Sequence, residues 1–181
     1  MHQHPTLRLG AAAMTAALAL TACSGGAGDE GPSFQPICEV IGTGSNVSAA
    51  GVDDPVLGFD GHLDSYASLG PADSASGTLS GGGVPRPSNE FAGVAFTTPT
   101  AGTVSITITL YQGNVPVKSR EAATLDYSST NSVCPEYCTH SDRTGHSFVG
   151  IPATANYDRI EAVITASDLD QPLQIRELCV R

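Results

Sequence analysis

The sequence predicts an all-β domain, an antiparallel β-sandwich, and three observations lead there. Residues 103–110, Thr-Val-Ser-Ile-Thr-Ile-Thr-Leu, alternate polar and apolar without a fault, the period of a half-buried strand. Further short apolar segments recur along the chain, each bounded by Gly, Pro, Asn, Asp or Ser clusters. No stretch holds a helical period of useful length. Many short strands separated by turn residues bury their apolar faces most simply as two packed antiparallel sheets.

In chain order, residues 1–22 have the layout of an export signal: a short start carrying Arg8, then an apolar run from Ala11 to Leu20. That run is too short to span a bilayer, which takes roughly 20 apolar residues. It closes on Leu20-Thr21-Ala22-Cys23, which resembles the lipobox of bacterial lipoproteins. The resemblance implies that the Cys23 thiol receives a diacylglycerol group, that a signal peptidase cuts before it, and that its amine is acylated, by palmitate for example. Two acyl chains suffice for stable anchoring. Ser24 follows the cysteine instead of the Asp that retains such proteins at the inner membrane, so the expected address is the outer membrane of a Gram-negative envelope, or otherwise the outer face of the cell membrane.

Residues 23–36 then form a tether. Ser24 to Pro36 is small, polar and rich in Gly and Pro, and cannot bury enough apolar surface to fold. A flexible chain of that length reaches on the order of 20 Å. Residues 37–181 are left as one domain with its own core.

Charge excludes one class of partner. The chain carries 8 Lys and Arg against 18 Asp and Glu, a net charge of -10. Removing residues 1–22 takes away Arg8 alone and makes it -11. Such a surface has no footprint for nucleic acid.

Once Cys23 is assigned to lipid, Cys38, Cys134, Cys138 and Cys179 remain in a protein that folds outside the reducing cytosol, and two disulfides are expected. Four cysteines allow three connectivities. The reading favours Cys38–Cys179, clasping the ends of the domain, with Cys134–Cys138 closing a short loop. The competing arrangement is a metal site from Cys134, Cys138, His140 and His146, residue types that Zn²⁺ accepts.

Within the domain, 103–110 is the strongest strand, and Gly113-Asn114 offers a turn from which Val115 to Lys118 runs back as its hairpin partner. Further strands are expected at Ile37–Ile41, Ser65–Leu69, Phe91–Phe96, Ala122–Tyr127, Ser147–Ile151, Arg159–Ala166 and Leu173–Val180. In the last, the apolar phase shifts between Leu173/Ile175 and Leu178/Val180, and a bulge near Glu177 reconciles the two halves. The segment from Gly70 to Pro87, rich in Gly, Ser and Pro, reads as loop.

The run Phe59-Asp60-Gly61-His62-Leu63-Asp64-Ser65-Tyr66-Ala67-Ser68-Leu69 resembles the Asp-Gly-x-x-x-Thr-aromatic segment of galactose-binding-like jelly rolls, the discoidin or coagulation-factor type C group. The terminal cysteines fit the same outline, since that group commonly joins its first and last strands by a disulfide. The chain departs from the pattern in having no Trp. The resemblance implies a jelly-roll sandwich and a non-catalytic binding module, for glycans, lipid headgroups or other surface polymers, with the ligand on loops at one end. Asp60 and Asp64, with Asp53 and Asp54 upstream, are candidate Ca²⁺ ligands; that ion takes six to eight hard oxygens, backbone carbonyls included. Without a ligand the same residues make a solvated turn.

A sugar site needs an aromatic platform, and Tyr66, Tyr111, Tyr127, Tyr137 and Tyr157 are the candidates. Tyr137, inside the Cys134–Cys138 loop, is the one expected to be exposed. No catalytic motif stands out. Gly145-His146-Ser147-Phe148-Val149 has Val where a nucleophile elbow needs Gly, and the pair Asp168 and Asp170 beside a proline turn reads as solvated loop. Three functions follow in order: a membrane-anchored, non-catalytic glycan-binding lipoprotein; a structural or assembly lipoprotein acting through an envelope protein partner; and a metal-dependent hydrolase using His62 or His146.

Overall fold

The structure, a computed structural model, describes residues 39–40, 48–70, 73–129, 132–141 and 145–181. The lipobox, Cys23, the tether and Cys38 lie outside the described residues. Among the described residues eleven strands are formed: β1 Glu39–Val40, β2 Ser48–Ala50, β3 Ala67–Leu69, β4 Ser74–Arg86, β5 Phe91–Thr97, β6 Thr103–Gln112, β7 Val115–Asp126, β8 Tyr137–Ser141, β9 His146–Pro152, β10 Tyr157–Ser167 and β11 Leu173–Val180. A 3-10 turn, Pro55–Gly58, precedes β3.

All pairings are antiparallel and fall into two sheets. One runs β1-β11-β5-β9-β8 with β3 also on β11, and the other runs β2-β4-β10-β6-β7. Without β1, β2 and β8, the orders β3-β11-β5-β9 and β4-β10-β6-β7 are those of an eight-stranded jelly roll. The expected all-β sandwich is therefore what forms.

The alternation of 103–110 works as expected. Val104, Ile106, Ile108 and Leu110 have no exposed surface and enter the core, Leu110 and Ile106 side by side with Ile160 and Ile164 of the neighbouring β10, each worth roughly 1.5–3 kcal/mol on burial. Thr103, Ser105, Thr107 and Thr109 lie on the outer face, where β10 places Ser167, Thr165, Val163 and Glu161 beside them. The bulge near Glu177 is also present, as a register shift between Ile175 and Glu177. It puts Ile175 and Leu178 in the core on either side of the extra residue.

The segment expected to be loop, Gly70 to Pro87, is corrected: 13 of its residues make β4, which pairs along most of its length with β10. Its inward positions are Ala75, Gly77, Leu79 and Gly81, so the period of two is there but is carried by small residues. Space dictates them. A Cβ on Gly77 would stand 2.6 Å from Val52 Cγ2 and 2.7 Å from Leu69 Cδ1, and one on Gly81 would stand 2.5 Å from Phe59 Cε1. Glycine here makes room for large neighbours rather than breaking the strand. Likewise the two short segments expected around residue 120 are one strand, β7, with two register shifts against β6.

Candidate functional site

Two places attract attention, the loop 59–66 singled out by sequence and a pocket that sequence did not reveal. The loop begins where Phe59 plugs into the core, 3% exposed. Asp60 Oδ1 accepts the His62 amide at 2.9 Å and Oδ2 accepts the Ser65 hydroxyl at 2.6 Å. Its carboxylate therefore caps its own loop. Arg176, on β11, pins the loop to the sheet: Nη1 donates to the Asp64 carbonyl at 3.1 Å, Nε to Thr97 Oγ1 at 2.8 Å and Nη2 to Gln174 Oε1 at 2.8 Å, while the guanidinium lies 4.9 Å from the Tyr66 ring.

Beneath Gly61 lies Glu177, fully buried, whose carboxyl oxygens close no well-formed hydrogen bond with a described group. Burial pushes its pKa up to about 8, against the partial relief of the Gly61 amide and with Asp60 adding to the rise. Tested against Ca²⁺, the loop offers Asp60 already engaged at both oxygens and Asp64 exposed. Among the described residues no three His, Cys, Asp or Glu side chains converge. An ion there would have to draw most of its ligands from backbone carbonyls.

Cys134 and Cys138 are disulfide-bonded, as expected, with Cα atoms 6.2 Å apart. This removes the thiolates of the alternative zinc site. The register separates its histidines too: His140 stands opposite Ser147, one residue from His146, so the two imidazoles leave the β8–β9 ribbon on opposite faces. Cys179 is also disulfide-bonded, and Val40, two residues beyond Cys38, pairs with it in register.

Tyr137 corrects another expectation. It is not an exposed loop residue but the first residue of β8, half-buried, stacked on Phe91 at 4.4 Å and edge-on to Phe148 at 6.1 Å. Extending the β-ribbon turned its ring onto the outer face of the sheet. Of the other tyrosines, Tyr157 is buried, and Tyr111 lies under the Arg159 guanidinium at 3.8 Å and donates to Glu161.

Tyr127 stands in the pocket, at the end of the sandwich where β5 and β7 finish and the β8–β9 ribbon turns. Strands β8 and β9 contribute Cys138, His140, Ser147 and Val149 from their inward face, and β7 contributes Leu125. The cavity measures about 350 Å³ and its walls are mainly apolar. A chain of polar groups runs along one side: Thr98 Oγ1 lies 2.8 Å from Ser147 Oγ and 3.0 Å from His140 Nδ1. The Tyr127 hydroxyl is buried and closes no hydrogen bond of good geometry with a described group; Ser147 is the polar group that acts on it, and burial pushes its pKa up.

Backbone bonds hold the rim. Thr98 N–H donates to the Gly145 carbonyl, Tyr127 N–H to that of Gly102, and Thr124 and Val133 exchange a pair at 2.8 and 2.7 Å. Asp126 organises the turn after β7 by accepting the Ser128 amide and the Ser129 hydroxyl, and the Ser129 bond holds its carboxyl below the usual range. On the far face of β9, burial and the nearby positive charge of Arg176 hold the His146 imidazole below its usual pKa. It is the neutral form at pH 7.

No carboxylate lines this pocket among the described residues. Apolar walls with a few placed hydroxyls and one imidazole are what small-ligand sites are made of. The sequence had named Tyr127 among five tyrosines and Ser147 only to discard it as a nucleophile. Nothing in spacing brings Thr98 to His140, 42 residues away.

No protein-family model matches this chain, and none of the curated proteins matches it. Among solved structures it is similar to the CBM32 module of AlyQ in complex with 4,5-unsaturated mannuronic acid, at 16% identity and TM-score 0.41, covering 76% of this chain and 94% of that one. A pectin-binding carbohydrate-binding module is similar at 13% identity and TM-score 0.42, covering 80% and 91%. TmCBM61 in complex with beta-1,4-galactotriose is similar at 12% identity and TM-score 0.39, covering 75% and 81%. All three are carbohydrate-binding modules, and no residue role is transferred from them to this chain.

Proposed function

We propose that this chain is an exported lipoprotein, anchored through Cys23, whose jelly-roll domain binds a glycan without transforming it, in the pocket between Tyr127, Thr98 and the β8–β9 ribbon. The observation that carries the reading is where the pocket lies. Strand β1 pairs with Cys179 and Val180, the finishing end of β11, while the pocket adjoins the end of β5, beyond Phe96, which pairs with Ile175 near the start of β11. The chain thus enters the sandwich at one end and the pocket opens at the other.

The composition of the site agrees with a sugar as ligand. A pyranose has apolar ring faces and a girdle of hydroxyls, which suit the Leu125 and Val149 walls and the Thr98–Ser147–His140 chain respectively.

The experiment is a thermal melt of the full chain against a panel of neutral and acidic glycans. A ligand of the folded state raises the melting point with its concentration over its dissociation constant. A shift lost in Thr98→Val and His140→Ala supports the reading, and a flat response to every glycan overturns it in favour of a protein partner. Anchoring is tested separately, by labelled palmitate incorporation that Cys23→Ser abolishes.

A further inference from the structure

We propose that Arg176 is a positioning residue for the pocket: from the opposite face of the sheet it fixes the end of β5, and through it the Thr98 hydroxyl, so that affinity depends on a side chain that does not touch the ligand. The inference rests on the glycan reading above and concerns what holds that same site in its binding geometry.

The ladder between β5 and β11 stops short of the pocket. Its last pair is Phe96 with Ile175, so Thr97 has no register partner in β11, while on its other side it closes the ladder to β9 opposite His146. Side chains take over where the backbone pairing ends. Arg176 Nε donates to Thr97 Oγ1 at 2.8 Å, Arg176 Nη2 donates to Gln174 Oε1 at 2.8 Å, and the Thr97 hydroxyl donates to the same Gln174 oxygen at 3.0 Å. These three bonds make a closed ring across the two strands.

The bulge in β11 is what aims Arg176 there. Ile175 pairs with Phe96 and Glu177 with Ala95, which leaves Arg176 as the extra residue, and re-aiming a side chain is what bulges beside functional sites do. Nη1 reaches the Asp64 carbonyl at 3.1 Å, so the same guanidinium ties the loop 59–66 to the end of β5. A lysine would keep the charge and most of the stem, but it replaces three nitrogens of fixed direction with one point donor and cannot close these bonds together.

The next residue belongs to the pocket. Successive side chains of an extended chain point to opposite faces, so as Thr97 turns outward to Arg176, Thr98 turns inward to Ser147 and His140, at 2.8 and 3.0 Å. Thr98 lines the cavity, and neither Thr97 nor Arg176 does. From the β9 side Thr98 is held by a backbone bond, its N–H to the Gly145 carbonyl at 2.8 Å. That bond leaves rotation about the Thr97–Thr98 peptide open, and the ring of bonds on Thr97 closes it. A hydroxyl left loose would have to be ordered on binding, at a cost in affinity.

The test uses the full chain with two substitutions outside the pocket, Arg176→Lys and Thr97→Val, and their double variant. The control is Arg86→Lys, which breaks a comparable two-bond contact, to Glu90, just before the other end of β5. Two quantities are read: the imidazole nitrogen resonances of His140, identified by their loss in His140→Ala, which report its bond to Thr98, and calorimetric affinity for glucose, galactose, mannose and glucuronate. Arg176→Lys and Thr97→Val are each expected to move the His140 resonances and to weaken binding by roughly threefold to tenfold, the scale on which residues without ligand contact modulate a site. The double variant is expected to be no worse than either single one, because both remove the same ring. Arg86→Lys is expected to do neither, even where its melting point falls as far. Unmoved His140 resonances or unchanged affinity in either variant, additive losses in the double, or the same movement in Arg86→Lys overturn the inference and leave the glycan reading standing. If Arg176→Lys does not fold, Thr97→Val, which keeps the side chain's shape, decides alone. Absence of binding by all four sugars overturns the glycan reading itself, and the inference with it.

Discussion

The Thr98 hydroxyl lies 2.8 Å from that of Ser147, joining the residue just beyond β5 to the inward face of β9 at the mouth of the pocket. The same oxygen is 3.0 Å from His140 Nδ1, so one side chain organises both strands of the ribbon. Thr98→Val keeps the shape and removes both bonds. It is expected to cost about 1 kcal/mol of stability by urea denaturation, a typical net value for a hydrogen bond at a partly buried site. Glycan binding should weaken severalfold in the same variant, measured by calorimetry. Binding unchanged in a destabilised protein would place the ligand elsewhere.

Glu177 makes stability depend on pH with a definite sign. Its carboxyl ionises near 4.5 when unfolded and near 8 in the fold. Between these values the folded chain holds a proton that the unfolded chain has released, so this group's contribution is fully present below about pH 4.5 and is lost as pH rises through about 8. The expected outcome is a melting point that falls over this window in the wild type and a flatter profile in Glu177→Gln, followed by calorimetry from pH 4.5 to 9. Identical profiles for the two proteins would show that the carboxyl is not held neutral.

Gly81 is where a single methyl should be felt most. Gly81→Ala places a Cβ against the buried Phe59 ring, and overpacking of this kind costs about 1–3 kcal/mol. A domain of this size then melts roughly 5 °C lower. Ser76→Ala, on the exposed face of the same strand, should change the melting point little. Equal effects at the two positions would mean that the cost comes from backbone propensity and not from Phe59.

The Asp60 carboxylate closes two bonds inside its loop. Asp60→Ala is expected to lower stability by about 1 kcal/mol, the scale of a lost cap, and to do so equally in Ca²⁺ and in chelator. Asp64→Ala, removing an exposed side chain whose structural contact is through its carbonyl, should have a smaller effect. If Ca²⁺ raises the melting point of the wild type and neither variant responds, the loop is an ion site and its capping role is secondary.

Much of the fold was legible because it is written in local alternation. Thr103 to Leu110 names its own faces, and the phase shift between Ile175 and Leu178 foretold a bulge without any partner in view. Strand β4 was illegible for a physical reason: its inward side chains are nearly absent, and the apolar groups that fill that space, Phe59, Leu69 and Val52, belong to other segments. Hydrophobic periodicity reports what a strand contributes to a core, not what it accommodates. Tyr137 misled in the opposite way, since a short disulfide loop suggests an exposed tip, while pairing of β8 with β9 brought its ring against Phe91.

By itself the sequence determined the all-β class; it favoured Cys134 with Cys138 among three connectivities, and it raised the expectation of an export signal and a lipobox at Cys23. These readings draw on composition and on residues close together in the chain, where local pattern carries the information. Only the tertiary structure decided the pocket. Thr98, Tyr127, His140 and Ser147 meet because two sheets close on each other and the β8–β9 ribbon folds over the end of β7, and no local pattern encodes that crossing. Glu177 likewise reads in sequence as an ordinary strand acid and becomes a buried one because a loop more than a hundred residues earlier lies on top of it.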